Sequence, residues 1–353
     1  MNYSNLGAII GGAKAGGSIT PDPSVTPLRF TNTGNDEATI SYSTNESFTS
    51  PLLYISKDGG KFKVWDFSAV SLLPNEYVEI VGNNENPISV ADWRVVKFAM
   101  TGTISASGDL MSLVSYESKV TTIPASDFFV SLFKGCTSLK TAPILSATTL
   151  TSGCYKQMFQ GSGITTAPEL SATSVAENAY NSMFAECTDL TTIPSFNAIS
   201  LGAYACQAMF SGCTSLTSLP NFSFTTLSND SCVQMFYGCT SLSVVPTLPA
   251  TSLPEGAYDQ MFRDCIGITT VTSIAATSMQ ERSCRQMFEG CSSLSDITVS
   301  FVDWGVTTGA PNRSTEAWLK DVAASGTFKC PSSLDTTSRG ENKVPMDWTV
   351  ENI

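Results

Sequence analysis

Cysteines and hydroxyl side chains are the groups in this chain that recur at fixed spacing and could do chemistry, and histidine is absent. Without an imidazole there is no Ser–His or Cys–His pair for nucleophilic catalysis, and the commonest metal ligand is missing. The eleven cysteines could still form disulfides or hold zinc. No two stand as C-x-x-C, the spacing zinc sites commonly use. Cys206/Cys213, Cys232/Cys239 and Cys284/Cys291 lie seven apart, in columns where Tyr or Ser replaces Cys elsewhere. That exchange points to buried free thiols acting as small apolar groups, in a chain folded under reducing conditions. No catalytic residue, cofactor or metal is expected.

The hydroxyls form a second array. Thr141, Thr166, Thr192 and Thr270 recur beside Lys140, Thr165, Thr191 and Thr269. Adjacent strand residues point to opposite faces, so these pairs cannot build a flat T-x-T lattice of the kind that orders ice; Thr favours strands and stacks on itself. The candidate ligand surface is this row, Thr141, Thr166, Thr192 and Thr270, together with Tyr237 and Arg263 from a variable column.

These residues need a repeating frame to position them, and the sequence contains one. A Met-Phe dipeptide, degenerate in its first copy, places Phe at 133, 159, 184, 210, 236, 262 and 288, with one gap of 25 residues and the others of 26. The short copy reads GSGI at Gly161–Ile164 where others read GCTSL. Columns that stay apolar face a core: Cys three residues after Phe, then Leu139, Ile164, Leu190, Leu216, Leu242, Ile268 and Leu294. Leu145, Leu170, Phe196, Phe222, Leu248 and Ile274 form a further such column. The column after Phe, which holds Tyr237, Arg263 and Glu289, varies freely and so faces solvent.

Within each unit, Cys206, Met209 and Phe210 share one face at helical spacing. Ser or Thr precedes the run each time, at Thr149, Ser174, Ser200, Thr226, Ser252 and Ser278, as N-caps do, and Glu177, Glu255 and Glu281 complete capping boxes. Gly135, Gly161, Gly212, Gly238 and Gly290 stand where a left-handed closing residue is wanted, with Glu186 and Asp264 in their place in two copies. Pro143, Pro168, Pro194, Pro220 and Pro246 restrict the following strand to a few residues. The unit therefore reads as short helix, turn, short strand and return loop. Seven such units stack at ~4.8 Å, since none can bury its face alone.

The flanks differ in composition. Residues 1–24 are rich in small residues and read as a flexible anchor; residues 25–118 carry short β-like runs separated by turn signals and read as a small β-sandwich. Residues 300–353 read as a cap in which Trp304, Trp318 and Trp348 cover the last coil. The net charge of -12 opposes nucleic-acid binding, and no run of about 20 apolar residues suggests a membrane span. The start lacks the basic and apolar pattern of a secretion signal, so the chain is expected to stay in the cytoplasm where it is made or to leave by another route.

The unit MFSGCTSLTSLPNF (Met209–Phe222), recurring with its Cys ladder over about 120–299, resembles the BspA-like leucine-rich repeats of bacterial surfaces and of phages that infect gut bacteria. The flanks LRFTNTGNDEATISYS and AWLKDVAASGTFKC are similar to segments that accompany such repeats. The resemblance implies an α/β leucine-rich-repeat solenoid over 119–299, between an N-terminal β-sandwich-like domain and a C-terminal cap, serving adhesion or recognition with no shared catalytic residues. The expected protein is a virion fibre or decoration subunit made in the host cytoplasm. It would form a homo-oligomer, a trimer among the options, join other virion proteins through its N-terminus, and contact a glycan or protein of the host surface. The alternative is a bacterial cell-surface adhesin. Replacing Phe210 by Ala should cost about 3–5 kcal/mol in chemical denaturation, and replacing the adjacent Ser211 by Ala less than ~0.5 kcal/mol; equal costs would invert the inside–outside assignment.

Overall fold

The computed structural model describes residues 18–43, 50–89, 96–305 and 313–353. The chain is a β-solenoid of about seven coils, built on an N-terminal pair of sheets. The expected helices are not there. In place of each runs a ribbon of overlapping turns, and its hydrogen bonds show why. Tyr180, Ser182, Phe184 and Glu186 donate their amides to Ala205, Gln207, Met209 and Ser211 of the next coil, at 2.7–2.9 Å. The alternate amides, of Ala179, Asn181, Met183 and Ala185, donate three residues back within their own coil, at 3.1–3.2 Å. An α-helix would use nearly all its amides internally and leave the coils joined along this wall only by side chains. Segments of about ten residues are marginal helices in any case, whereas the ribbon ties each coil to its neighbour.

The ribbon has its own backbone requirement. Every second turn is closed by a third residue of positive φ, the type II pattern. In one coil these are Asn178, Ser182 and Glu186, at 56°, 52° and 62°; in another Gly256, Gln260 and Asp264, at 63°, 57° and 60°. Glu186 and Asp264 thus adopt the left-handed conformation their glycine counterparts take. Left-handed non-glycine residues cost roughly 1–2 kcal/mol each; here the bonds to neighbouring coils hold them.

The Ser/Thr residues read as caps begin parallel strands instead. Ser174–Val175, Ser200–Leu201 and Thr226–Leu227 pair in register, as do Ser252–Leu253 and Ser278–Met279. Two further lines of parallel contact follow each ribbon. One includes Val244–Val245, Thr270–Ile274 and Asp296–Val299; the other joins Leu145, Leu170, Phe196 and Phe222 by single bridges.

The core is a set of side-chain columns. Rings of Phe133, Phe159, Phe184, Phe210, Phe236, Phe262 and Phe288 lie 5.3–5.6 Å apart and within 15° of parallel. A neighbouring column runs Phe129, Tyr155, Tyr180 and then narrows to Cys206 and Cys232. Close to this narrowing the bridge column widens from Leu145 and Leu170 to Phe196 and Phe222, which keeps the interior filled.

The flanks continue this core. In the N-terminal module one sheet runs, in spatial order, Lys63–Val64, Leu53–Lys57, Tyr77–Gly82, Leu28–Asn32, Ile104–Ser107 and Leu139–Thr141. The other runs Val70–Leu72, Ala38–Tyr42 and Phe98–Met100. Phe30 and Phe98 bring the two sheets together at 5.2 Å, and Phe98 also stacks on Phe133 at 5.3 Å, as a preceding coil would. At the far end Thr327–Cys330 and Thr349–Asn352 add two parallel strands, while Trp318 packs on Phe288. Trp304, Trp318 and Trp348 are all buried there. Of the expected anchor, residues 1–17 lie outside the described residues; Ile19 and Asp22 donate amides to the carbonyls of Phe62 and Tyr116 of the module.

Two glycines separate backbone conformation from space. Gly238 has φ 68° and open space around a notional Cβ, whereas a Cβ on Gly163 would meet the Thr137 carbonyl at 2.0 Å. Gly238→Ala should cost about 1 kcal/mol from conformation alone. Gly163→Ala should cost about 2–3 kcal/mol, because backbone must move. Urea denaturation of both variants checks the order; a Gly238→Ala cost equal to the Gly163→Ala cost would contradict the ribbon geometry.

Candidate functional site

The thiols have a defined role. All eleven are free and buried. In the column three residues after Phe, each Sγ donates to the Phe carbonyl of the preceding coil: Cys187 to Phe159 at 3.0 Å, Cys213 to Phe184 at 3.2 Å, Cys239 to Phe210 at 3.1 Å, Cys265 to Phe236 at 3.0 Å and Cys291 to Phe262 at 3.0 Å. Cys136 donates to Phe98 in the same manner at 3.3 Å. In the short coil Ser162 takes the place of the Cys, beside Cys187. The side chain wanted here is small, apolar and still a donor, which is narrower than the small hydrophobe read from the sequence.

Two outer walls carry polar side chains. Thr141, Thr166, Thr192 and Thr270 fall on one wall, as their column requires. Thr192 Oγ1 donates to Thr166 Oγ1 at 3.2 Å, and Thr141 Oγ1 to the Ala106 carbonyl at 2.9 Å. Thr270 sits in a strand between Val244 and Asp296. A groove of about 340 Å³ opens on this wall, lined among others by Ser218, Leu219, Asn221, Ser243, Val244 and Pro246.

Tyr237 and Arg263 lie elsewhere, side by side on the turn-ribbon wall. Arg263 is held by Glu289 at 3.3 Å, by Asp264 at 3.9 Å and by Gln260 at 3.3 Å. A hydrogen bond to Asp264, with that carboxylate's charge, raises the Tyr237 pKa. Both residues are engaged with their own neighbours, and the structure does not bring them to the threonine row. The same wall holds a cluster that sequence reasoning missed. Asp259, its side chain 2% exposed, accepts from Arg285 Nε at 3.1 Å and Nη2 at 2.7 Å, and from Arg282 Nη1 at 3.2 Å. Arg282 Nη2 reaches Asp230 at 3.3 Å and Glu255 at 3.0 Å. Asp259 and Arg285 are 26 residues apart, so opposite charges one period apart were the available signal. The cluster clamps three coils together, and removing one partner would leave a buried charge unpaired.

No family model matches the chain, and neither a curated protein nor a solved structure is similar to it. Among the described residues no helix is long and apolar enough to cross a membrane.

Burial pushes the thiols up from their ordinary value of 9.0: Cys154, Cys232 and Cys284 to about 12, Cys136 and Cys187 to about 11. Below about pH 9 the thiols are neutral in the folded and unfolded chains alike, and their contribution is complete. Above that the unfolded chain ionises first, so stability falls as pH rises towards the folded values. The urea midpoint should drop steeply from pH 9 to pH 11, and a variant with Cys213, Cys239 and Cys265 changed to Ala should show a shallower slope. An unchanged slope would assign the loss to other groups.

Proposed function

We propose that this protein is a non-enzymatic structural and recognition component of a phage particle, its solenoid a divergent form of the BspA-like leucine-rich repeat. The observation that carries this reading is where the chemistry lies. Thiols, ion pairs and side-chain amides bond coil to coil, as with Gln234 to Gln260 at 3.0 Å, while the hydroxyl wall faces outward. A stiff rod with a polar outer wall suits display and attachment. The thiol ladder bears on compartment: its S–H donors require reduced cysteine, so the fold suits completion in a reducing cytoplasm. That favours a particle assembled inside the cell over the other reading, a bacterial surface adhesin exported through an oxidising route. The partners proposed are further copies of the chain, other virion proteins bound through the N-terminus, and a glycan or protein of the host surface.

Mass spectrometry of gradient-purified phage particles and of outer-surface fractions from uninfected host cells tests the assignment. Peptides of this chain should be found in the particles at near-stoichiometric ratio to other structural proteins. Their presence only in the uninfected surface fraction would overturn it in favour of the adhesin.

A further inference from the structure

On the hydroxyl wall the bonding between coils is interrupted at one place. Elsewhere the amide of the first wall residue bonds to the neighbouring coil: Thr165 to Lys140 at 3.3 Å, Thr191 to Thr165 at 2.9 Å, Thr269 to Ser243 at 2.9 Å and Ser295 to Thr269 at 3.1 Å. Of the two coils between, the second lacks this bond at Ser243, and in the first the amides of Thr217, Ser218 and Leu219 find no acceptor among the described residues. The strand Val244–Val245 is the outermost of its five-stranded sheet, so the edge it turns towards that coil is also unpaired. These open peptide groups border the groove of about 340 Å³.

The groove cannot be filled by an added strand. A strand needs ~4.8 Å on either side. Yet Phe210 and Phe236, core residues of the two coils that border the groove, remain 5.4 Å apart, as close as the 5.3 Å pairs on either side. The occupant must therefore lie in the groove from outside and reach the peptide groups with its own donors and acceptors. The lining carries no charge. It offers the hydroxyls of Ser218 and Ser243, the amide of Asn221, and apolar surface from Leu219, Val244 and Pro246, with Val244 44% exposed. An ionic ligand would lose hydration here and meet no counter-charge. A ligand dense in hydroxyls with flat C–H faces meets both kinds of surface.

We infer that this groove is a binding site for a neutral saccharide. The sugar hydroxyls accept from the free amides of Thr217 to Leu219 and bond to the side chains of Ser218, Asn221 and Ser243, while a C–H face covers Leu219, Val244 and Pro246. The inference rests on reading the solenoid as a recognition surface, and it gives that surface a ligand class.

Saturation-transfer-difference NMR on the full chain tests it, with maltose, cellobiose, lactose and N,N′-diacetylchitobiose as probes and with N-acetylneuraminic acid and a Gly-Ser tetrapeptide as comparisons. At least one neutral disaccharide should receive saturation. The signal should fall at least about fivefold in Val244→Lys and in Asn221→Ala, and persist in Thr192→Lys, which lies on the same wall outside the groove. Melting curves show which variants fold, and either groove variant alone suffices to read the result. Saturation of none of the neutral sugars, transfer only to the sialic acid or the peptide, or equal loss in Thr192→Lys would each overturn the inference. Particle incorporation is measured separately, so a failed sugar titration with peptides present in virions removes this site and leaves the structural role standing.

Discussion

The bond between one coil's backbone and the next is the interaction on which the rest of this structure depends. Along the turn ribbon every second amide points down the axis, and the alternate amides close turns within the coil. This arrangement fixes the separation of the coils before any side chain is considered. It also fixes register, because an amide can reach the next carbonyl only if equivalent positions stand above one another. A side chain in this protein is therefore first a member of a column and only then a member of a local segment.

That constraint explains otherwise unrelated choices. Planar rings suit a column whose members stand a little over 5 Å apart, hence the run of phenylalanines through the core. The carbonyls of Phe184 and Phe210 already accept the Cys amides of their own coils and still have a lone pair directed at the next coil, which the thiol above fills. Asp259 and Arg285 are opposite charges in one column, and Asn181 with Gln207 are amides in the same column, donating at 2.9 Å. Phe98 is placed by an unrelated fold, yet it supplies both the ring and the carbonyl that the first coil requires.

The columns were legible in the sequence because period and substitution pattern are one-dimensional. Phe, Cys and Leu positions, the number of coils and the threonine wall could all be read that way. The conformation of the ribbon could not. Ala205, Cys206, Met209, Phe210 and Cys213 recur every four residues, yet on a helical wheel they span only about 140°, which also describes an amphipathic helix. The available clue was Gly153 and Gly256, early within the supposed helices, where a left-handed residue would be out of place. The groove was hidden for another reason. Ser218 in a threonine column looks conservative, and Leu219 and Pro220 match their neighbours, so the missing ladder bonds exist only in three dimensions. Arg282 joins Asp259 across 23 residues, a register the turns set and the period does not show.

The short coil tells where this architecture tolerates a change of length. Between the Cys and Leu columns Gly161–Ile164 has lost one residue, yet the rings on either side, Phe159 and Phe184, are parallel within 3° at 5.5 Å. The corner absorbed the deletion and passed nothing on to the axis. Rise per coil is thus independent of contour length at that corner, and the molecule behaves as a ruler graduated by its backbone. Loops can be grown or trimmed at those corners, one coil at a time, to decorate the rod while its graduations stay where they are.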